Sequence, residues 1–346
     1  MLKAAVVILN WNGERFLRKF LPGVITNTEA PGIEVVVADN GSTDGSVAYL
    51  EETFPGLRVL KFETNYGFAE GYNLAFSSLE AEYFVLLNSD VEVSKGWIDP
   101  LIRAMDNDKL VASVMPKIRA YELDGYFEYA GAAGGFIDAS GYPFCRGRIF
   151  DSLEADYGQY DSSMEVFWTT GACMMVRGPL YKIVGGLDPF FFAHFEEIDL
   201  CWRLKNRGYK HLVIPESVVY HVGGGTLPTS NPWKTYLNFR NSLFMLYKNL
   251  PAESLPATIF KRLLLDGLSV IRFLLGAKFR DVWSILSAHV SFYRHFRKYK
   301  AFRKEEHRFI SRNSHAEMYD GSIVVDYFLR KKYTFLSLKW TPVDRR

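Results

Sequence analysis

The stretch Ala4-Ala-Val-Val-Ile-Leu9 runs straight into Asn10-Trp-Asn-Gly13. An unbroken apolar run of this length, closed by a polar turn, reads as a strand buried on both faces. The same grammar recurs outward from it. Ile33–Ala38 ends in Asp39-Asn-Gly-Ser-Thr-Asp-Gly-Ser46, Leu57–Phe62 forms a third strand, and Tyr83–Leu87 ends in Asn88-Ser-Asp90. Helical stretches, Glu14–Leu21 and Phe68–Ser78, fall between them, and Ser42 or Asp44 can cap the helix after the second strand. This alternation predicts an α/β fold, a doubly wound and mostly parallel sheet. Ligands of such sheets sit beyond the carboxyl ends of the strands. Asn10, Asp39, Asn65 and Asp90 all lie just past predicted strands and would converge on one crevice.

The pattern weakens between Tyr121 and Ser163, where glycines suggest short strands and a long functional loop. Val166–Val176 has strand character, Glu196–Asn206 is a predicted helix with Gly208 as its C-cap, and Lys210–Ile214 is another strand. His221 precedes three glycines and reads as part of a flexible loop. From Pro232 to about Arg312 the chain reads as mostly helical.

Composition bounds the function classes. Of 346 residues, 48% are hydrophobic and 23% charged, which excludes a disordered or fibrous chain. Three scattered cysteines, Cys145, Cys173 and Cys201, exclude a disulfide scaffold or a CxxC zinc site and fit a reducing compartment. Met1–Asn10 lacks the cleavage pattern of a signal peptide. The nearest candidate for a membrane span, Ala257–Phe279, is broken by Lys261, Arg262, Asp266, Arg272 and Lys278. Charge is unevenly spread. Residues 1–230 hold 19 Lys and Arg against 30 Asp and Glu, and residues 231–346 hold 22 against 9. An acidic front and a basic back predict two regions, divided near residue 230, with different partners.

Several clusters can carry chemistry. Asn88-Ser-Asp90 could hold a hard divalent cation, or be a turn with a capping Asp. Glu196-Glu-Ile-Asp199 opens a helix, where acidic residues also simply complement the dipole. Its aromatic surroundings, Phe190-Phe-Phe-Ala-His-Phe195, would raise a carboxylate's pKa and make it a better general base. His221 could be a metal ligand, a proton carrier or a structural residue. The Asp39 turn could bind a base or ribose, or serve as a cap. The glycine fingerprint of dinucleotide-binding folds and the phosphate loop ending in Gly-Lys-Ser/Thr are both absent. A phosphate ligand would therefore need a metal.

Eight motifs occur in order: Val6-Val-Ile-Leu-Asn-Trp-Asn12, Val37-Ala-Asp-Asn-Gly-Ser-Thr-Asp-Gly-Ser46, Asn65-Tyr-Gly-Phe-Ala-Glu-Gly-Tyr-Asn73, Leu86-Leu-Asn-Ser-Asp90, Thr170-Gly-Ala-Cys-Met-Met-Val-Arg177, Gly186-Leu-Asp-Pro-Phe-Phe-Phe192, Glu196-Glu-Ile-Asp-Leu-Cys-Trp-Arg203 and His221. Together they resemble a family 2 glycosyltransferase of the GT-A fold, and within it the bacterial rhamnosyltransferase-like branch. The resemblance covers about residues 4–247, including Arg240-Asn241. It implies inverting, metal-dependent transfer of a hexosyl group from a nucleotide-diphospho-sugar to a glycan or polyprenyl-linked hydroxyl. Asp39 would contact the nucleoside, with Asn10, Asn65, Asn88 and Ser89 on the donor side. Asp90 and His221 would hold Mg²⁺ or Mn²⁺, with Asn88 standing where the strict DxD pattern has its first Asp. Glu197 matches the catalytic base, usually Asp in a Glu-Asp pair; Glu is one methylene longer, so the role could shift to Glu196. Asp199 would help position the acceptor, and Gly171 would let donor or acceptor approach the backbone. The branch implies dTDP-rhamnose as donor, with UDP- and GDP-sugars next.

The basic C-terminal region, with apolar Phe260–Gly276 and amphipathic Trp283–Phe296, suits an anionic membrane surface or an oligomer contact. No nucleic-acid motif appears. These features imply a cytoplasmic enzyme, peripheral at the inner face of the membrane. Two other classes remain: a catalytically silent nucleotide-sugar-binding or assembly protein, and a nicotinamide oxidoreductase, which the missing glycine fingerprint disfavours.

Overall fold

A computed structural model describes residues 1–223 and 231–342. The first half alternates as expected: β1 (Leu2–Asn10), α1 (Glu14–Thr28), β2 (Ile33–Asp39), α2 (Ser46–Thr53), β3 (Arg58–Lys61), α3 (Gly67–Ser77), β4 (Ala81–Asn88), β5 (Val91–Val93), α4 (Ile98–Asn107) and β6 (Val111–Ala120). Four short strands follow: β7 (Gly135–Asp138), β8 (Pro143–Cys145), β9 (Arg148–Ile149) and β10 (Ser152–Leu153). Then come β11 (Met164–Val166), β12 (Cys173–Arg177), α5 (Gly178–Ile183), α6 (Glu196–Asn206) and β13 (Lys210–His221). The C-terminal part contains α7 (Pro232–Asn249), α8 (Leu255–Leu275), α9 (Phe279–His295), α10 (Lys298–Glu306), β14 (Met318–Tyr319) and α11 (Ile323–Phe328).

The main sheet has the order β11-β13-β6-β12-β4-β1-β2-β3, with β5 paired to β13. Strands β1 to β4 run parallel, and the central two are the most deeply buried: Ala4–Val7 and Tyr83–Leu87 are wholly inaccessible. The sheet is nonetheless mixed. β12 lies antiparallel between β4 and β6, while β13 runs parallel to β6. The stretch expected as one strand over Val166–Val176 is split into β11 and β12. Between them, Thr169 turns inward to share a 2.7 Å hydrogen bond with Ser113.

Three other expectations change. Helix α1 runs on past Leu21, through Pro22, to Thr28. The segment 121–163 is not an open loop: β7–β10 pair with β14 in a second, five-stranded sheet. Its core is aromatic, Phe136 and Phe144 packing on Phe335 and Trp340 from the far end of the chain. His221 is not in a loop either. Register shifts between Ile214 and Val218 accommodate the Pro215 break, and β13 continues to His221, opposite Val91 of β5. Residues 224–230, the rest of the expected glycine loop, lie outside the described residues. All three cysteines are free and buried, and among the described residues no helix is long and apolar enough to cross a membrane.

Candidate active site

The carboxyl ends of β1, β2 and β4 bring the first set of predicted residues together. Asn10 pairs in register with Asp39, and its Nδ2 donates to Asp39 Oδ1 at 3.1 Å and to Ser42 Oγ at 3.2 Å. Asp39 Oδ2 accepts from the Ser42 amide. Both residues are almost fully buried, so only their remaining lone pairs can serve a ligand. Asn10 Oδ1 is such an acceptor, buried and without a partner among the described residues. The turn after β2 depends on Gly41, whose φ of +74° and close approach to the Thr64 backbone exclude a side chain. That approach docks the turn on the next motif. Asn40 Nδ2 donates to Asn65 Oδ1 and to the Gly67 carbonyl, each at 3.0 Å, and Asn65 Oδ1 also caps the Gly67 amide at 2.8 Å. Asn40 was visible in the motif and passed over in favour of its neighbour.

The second set forms where β4, β5 and β13 meet. Pairing of β5 with β13 carries His221 to Asp90, with Nε2 3.1 Å from Asp90 Oδ1 and 3.4 Å from Asn88 Nδ2. On the other ring edge Nδ1 lies 3.0 Å from Glu128 Oε2. Burial opposes a charged ring here, but the carboxylates of Asp90 and Glu128 outweigh it and push the imidazole up to about 10. Asp90 and His221 meet as expected, while Glu128 was missed. It lies in the irregular segment, and nothing near it in sequence signals His221 as a partner. Ser89 lies on this side too: a Cβ at Gly13 would be 2.4 Å from Asn10 Oδ1 and 3.4 Å from Ser89 Oγ.

Two donor atoms 3.1 Å apart match the roughly 3 Å between neighbouring ligands of one octahedral cation. A carboxylate on the far nitrogen is how a metal-bound histidine is normally oriented. The residues present fit a divalent cation in part. Among the described residues no group of three or more His, Cys, Asp or Glu side chains is arranged to hold one. Further ligands would have to come from water or substrate oxygens.

The third set is the start of α6. Phe192, His194 and Phe195 all have positive φ, between 64° and 73°, a run that ordinary residues adopt only when their surroundings impose it. α7 supplies those surroundings. Asn241 Nδ2 lies 2.7–3.0 Å from the carbonyls of Phe191, Ala193 and His194, and Arg240 Nη2 donates to those of Phe190 and Phe191. From the other side the Phe192 carbonyl accepts from the Phe68 and Ala69 amides. The strained loop is thus held by groups more than 40 residues away on either side.

This loop presents Glu196 and Glu197 without ion-pair partners among the described residues, and one oxygen of each is buried with no hydrogen bond. Burial pushes Glu197 up to about 7, against the pull of the backbone amides at the helix start. Glu196, almost inaccessible, is pushed well above the usual carboxylate range by burial and then by Glu197's charge. The two diverge. Glu196 bears on Tyr181, whereas Glu197 bears on Cys145 and Cys201. Burial raises the Cys145 thiol to about 12, and the charges of Glu128 and Glu197 add to it. Glu128 and Glu197 thus both act on the Cys145 thiol. The Lys234 ammonium, at the start of α7, is lowered by burial and by Arg148, is held up by Glu128, and has no carboxylate at ion-pair distance among the described residues. Lys234 follows the undescribed segment, and its sequence surroundings gave no signal.

Two predicted residues do not belong here. Asp199 is fully buried and committed elsewhere: to Arg203 at 2.9 Å, to Lys248 at 2.7 Å and to the Asn249 amide at 2.9 Å. It cannot position an acceptor without breaking this network. Gly171 is buried under Phe68, where a Cβ would lie 2.8 Å from Cζ, so ring packing explains the glycine and ligand access does not.

Comparison with known proteins fits this arrangement. Residues 5–155 match the profile of Glycosyl transferase family 2. The N-acetylglucosaminyl-diphospho-decaprenol L-rhamnosyltransferase of Mycobacterium tuberculosis is 26% identical over 230 residues, covering 62% of this chain and 75% of its own. The low-salt glycan biosynthesis hexosyltransferase Agl10 of Haloferax volcanii is 23% identical, covering 79% of this chain and 85% of its own. Among solved structures, GalNAc-T7 with UDP, GalNAc and Mn²⁺ superposes with a TM-score of 0.56 at 19% identity, over 72% of this chain and 48% of that one. That likeness concerns the fold. The ordered motifs, the sheet that gathers them and the matched profile agree: residues 5–155 carry a Glycosyl transferase family 2 domain, the chain is similar to that family's rhamnosyltransferase-like branch, and it has the GT-A fold.

Proposed function

We propose that the protein is a metal-dependent inverting enzyme that moves a hexosyl group, rhamnose first among candidates, from a nucleotide-diphospho-sugar to a hydroxyl of a glycan or lipid-linked acceptor. The observation that carries the reading is Glu197: a carboxylate at the start of α6, without an ion pair among the described residues and pushed up to about 7, in the same fold that pairs Asp90 with His221. A base poised near neutrality can take a proton from an acceptor hydroxyl. The freed oxygen then attacks the anomeric carbon opposite the diphosphate, the carbon–oxygen bond to phosphate breaks, and the nucleoside diphosphate departs. One displacement inverts the centre, and the paired carboxylates of retaining hydrolysis are not needed. Glu196, almost inaccessible and raised by burial and by Glu197's charge, is the alternative base.

Asp90 and His221 would hold Mg²⁺ or Mn²⁺, with Glu128 orienting the imidazole. The bound metal would neutralise charge building on the diphosphate. Lys234, cationic and unpaired, would face the same charge. Asn10, Asp39, Asn65, Asn88 and Ser89 would line the donor side, the free acceptors of Asn10 and Asp39 suiting N–H or O–H groups of a base and ribose. The rhamnosyltransferase relative's name supports a rhamnosyl group and a polyprenyl-linked acceptor, and with it work in surface polysaccharide synthesis. Residues 1–230 would do this chemistry, and 231–346 would hold its strained loop and meet a membrane from the cytoplasmic side.

Calorimetric binding of dTDP, UDP and GDP, with and without Mn²⁺, tests the reading on wild type and Asp90→Ala. Metal-dependent binding of one nucleotide, lost in the variant, is the expected result. A folded wild type that binds none of the three overturns it in favour of a silent assembly protein.

A further inference from the structure

Helix α8 is built inside out. Its only buried side chains are Arg262 and Asp266, while most of its apolar ones are exposed. Arg262 donates to the Ser140 carbonyl at 3.2 Å and to Ser242 Oγ at 3.0 Å, and stacks over the Tyr142 ring. Asp266 accepts from Tyr142 OH at 2.9 Å and lies 3.1 Å from His289 Nε2. A water-facing surface helix has the opposite polarity, apolar stripe inward and charges outward.

The outward stripe is regular. Phe260, Leu264, Leu268, Ile271 and Leu275 recur at spacings of three or four on α8, and Leu275 is 86% exposed. α9, packed beside it, continues with Phe279, Trp283, Leu286 and Val290, and Trp283 is 71% exposed. One hairpin thus presents two apolar stripes side by side, a surface that soluble monomers rarely leave bare. Charge tells which partner fits. Between Ala257 and Arg297 the exposed charged side chains are Lys261, Arg272, Lys278, Arg280, Arg294 and Arg297, all cationic. Asp266 is buried, and half-buried Asp281 is engaged by Thr235. A second copy meeting this face about a two-fold axis would set cations against cations with no exposed carboxylate of the hairpin to answer them. A bilayer with anionic headgroups satisfies both features at once: apolar stripes enter the acyl boundary, and long cationic side chains reach back to the phosphates.

We propose that the α8–α9 hairpin is the surface by which this protein lies on an anionic bilayer, parallel to its plane and without crossing it. This names the face behind the membrane contact proposed above, and it stands whether or not transfer occurs. The test is co-sedimentation of the full chain with vesicles of phosphatidylcholine alone or mixed with phosphatidylglycerol. Wild type should bind the mixed vesicles and lose binding as salt rises. Leu268→Asp with Trp283→Asp should weaken that binding about tenfold or more, with an unchanged far-ultraviolet spectrum and melting temperature. Arg272→Glu with Lys278→Glu, which leaves the stripes whole, should weaken binding to mixed vesicles and leave binding to neutral ones unchanged. Wild type that ignores both vesicle types, or variants that bind as it does, would overturn the proposal. So would a wild-type dimer, seen by light scattering, that the Leu268/Trp283 variant dissolves, because the face would then belong to a second copy.

Discussion

Glu197 and Asp199 sit two residues apart in the first turn of one helix, and their surroundings could hardly differ more. Asp199 meets an arginine, a lysine and an amide, all buried with it. Glu197 meets no cation among the described residues, keeps one oxygen without a hydrogen bond there and is pushed up to about 7. Residues two apart point to different sides of a helix, and only Asp199 joins the ion pairs packed against α7. Two carboxylates at one helix end thus differ in whether their charge is satisfied, and the unsatisfied one is the candidate for chemistry.

The largest effect should come from the unsatisfied member. Glu197→Gln keeps the shape and removes the proton acceptor, so kcat should fall about 10²–10⁴-fold with nucleotide binding retained. Steady-state kinetics beside calorimetry reads this, and wild-type turnover in the variant would move the role to Glu196. The satisfied member should answer in the other observable. Asp199→Ala leaves buried Arg203 without its carboxylate and Lys248 with Asp188 alone, and should cost about 3 kcal/mol of stability. Chemical denaturation measures it. A loss of activity with the midpoint unchanged would instead return Asp199 to the site.

Asn241→Ala comes next, because Asn241 belongs to both regions: it is fully buried, and its amide holds the strained carbonyls just before Glu196. Unsatisfied carbonyls cost about 1–3 kcal/mol, and a loop released from its positive φ values would let Glu197 drift. The expected result is a loss of both stability and kcat. Stability lost with kcat intact would mean that the loop holds its geometry alone.

This contrast also explains what the sequence could and could not convey. The parallel strands were legible because burial of the central ones on both faces leaves continuous apolar runs, and polar residues at the strand ends marked the crevice. The Glu196 helix was legible to the residue. The antiparallel insertion of β12 was not, since a buried strand carries no mark of direction. The second sheet was not, because β7 is paired by β14 from about 180 residues later. At the site the same limit applies. Asp90, His221 and Glu197 were readable as motif residues. Glu128, Lys234 and the commitment of Asp199 exist only through partners distant in the chain, and Gly171 carried no sign that a phenylalanine ring lies over it.

The smallest expected effect is the most discriminating for the carboxylate itself. An unfolded glutamate releases its proton near about 4.3, whereas folded Glu197 keeps it to about 7. Between those values the folded state binds more protons than the unfolded one, so stability contributed through this group falls as pH rises and levels off above 7. Activity runs the other way, since only the ionised base accepts a proton: kcat/KM should rise with pH and flatten past about 7. Glu197→Gln should shrink the stability slope in this window, leaving the part that belongs to Glu196, which is also raised by burial. Unfolding curves taken across pH 4 to 8 on wild type and Glu197→Gln separate the outcomes. Equal slopes in wild type and Glu197→Gln would show that Glu197 is already ionised at low pH, and the base would have to be found elsewhere.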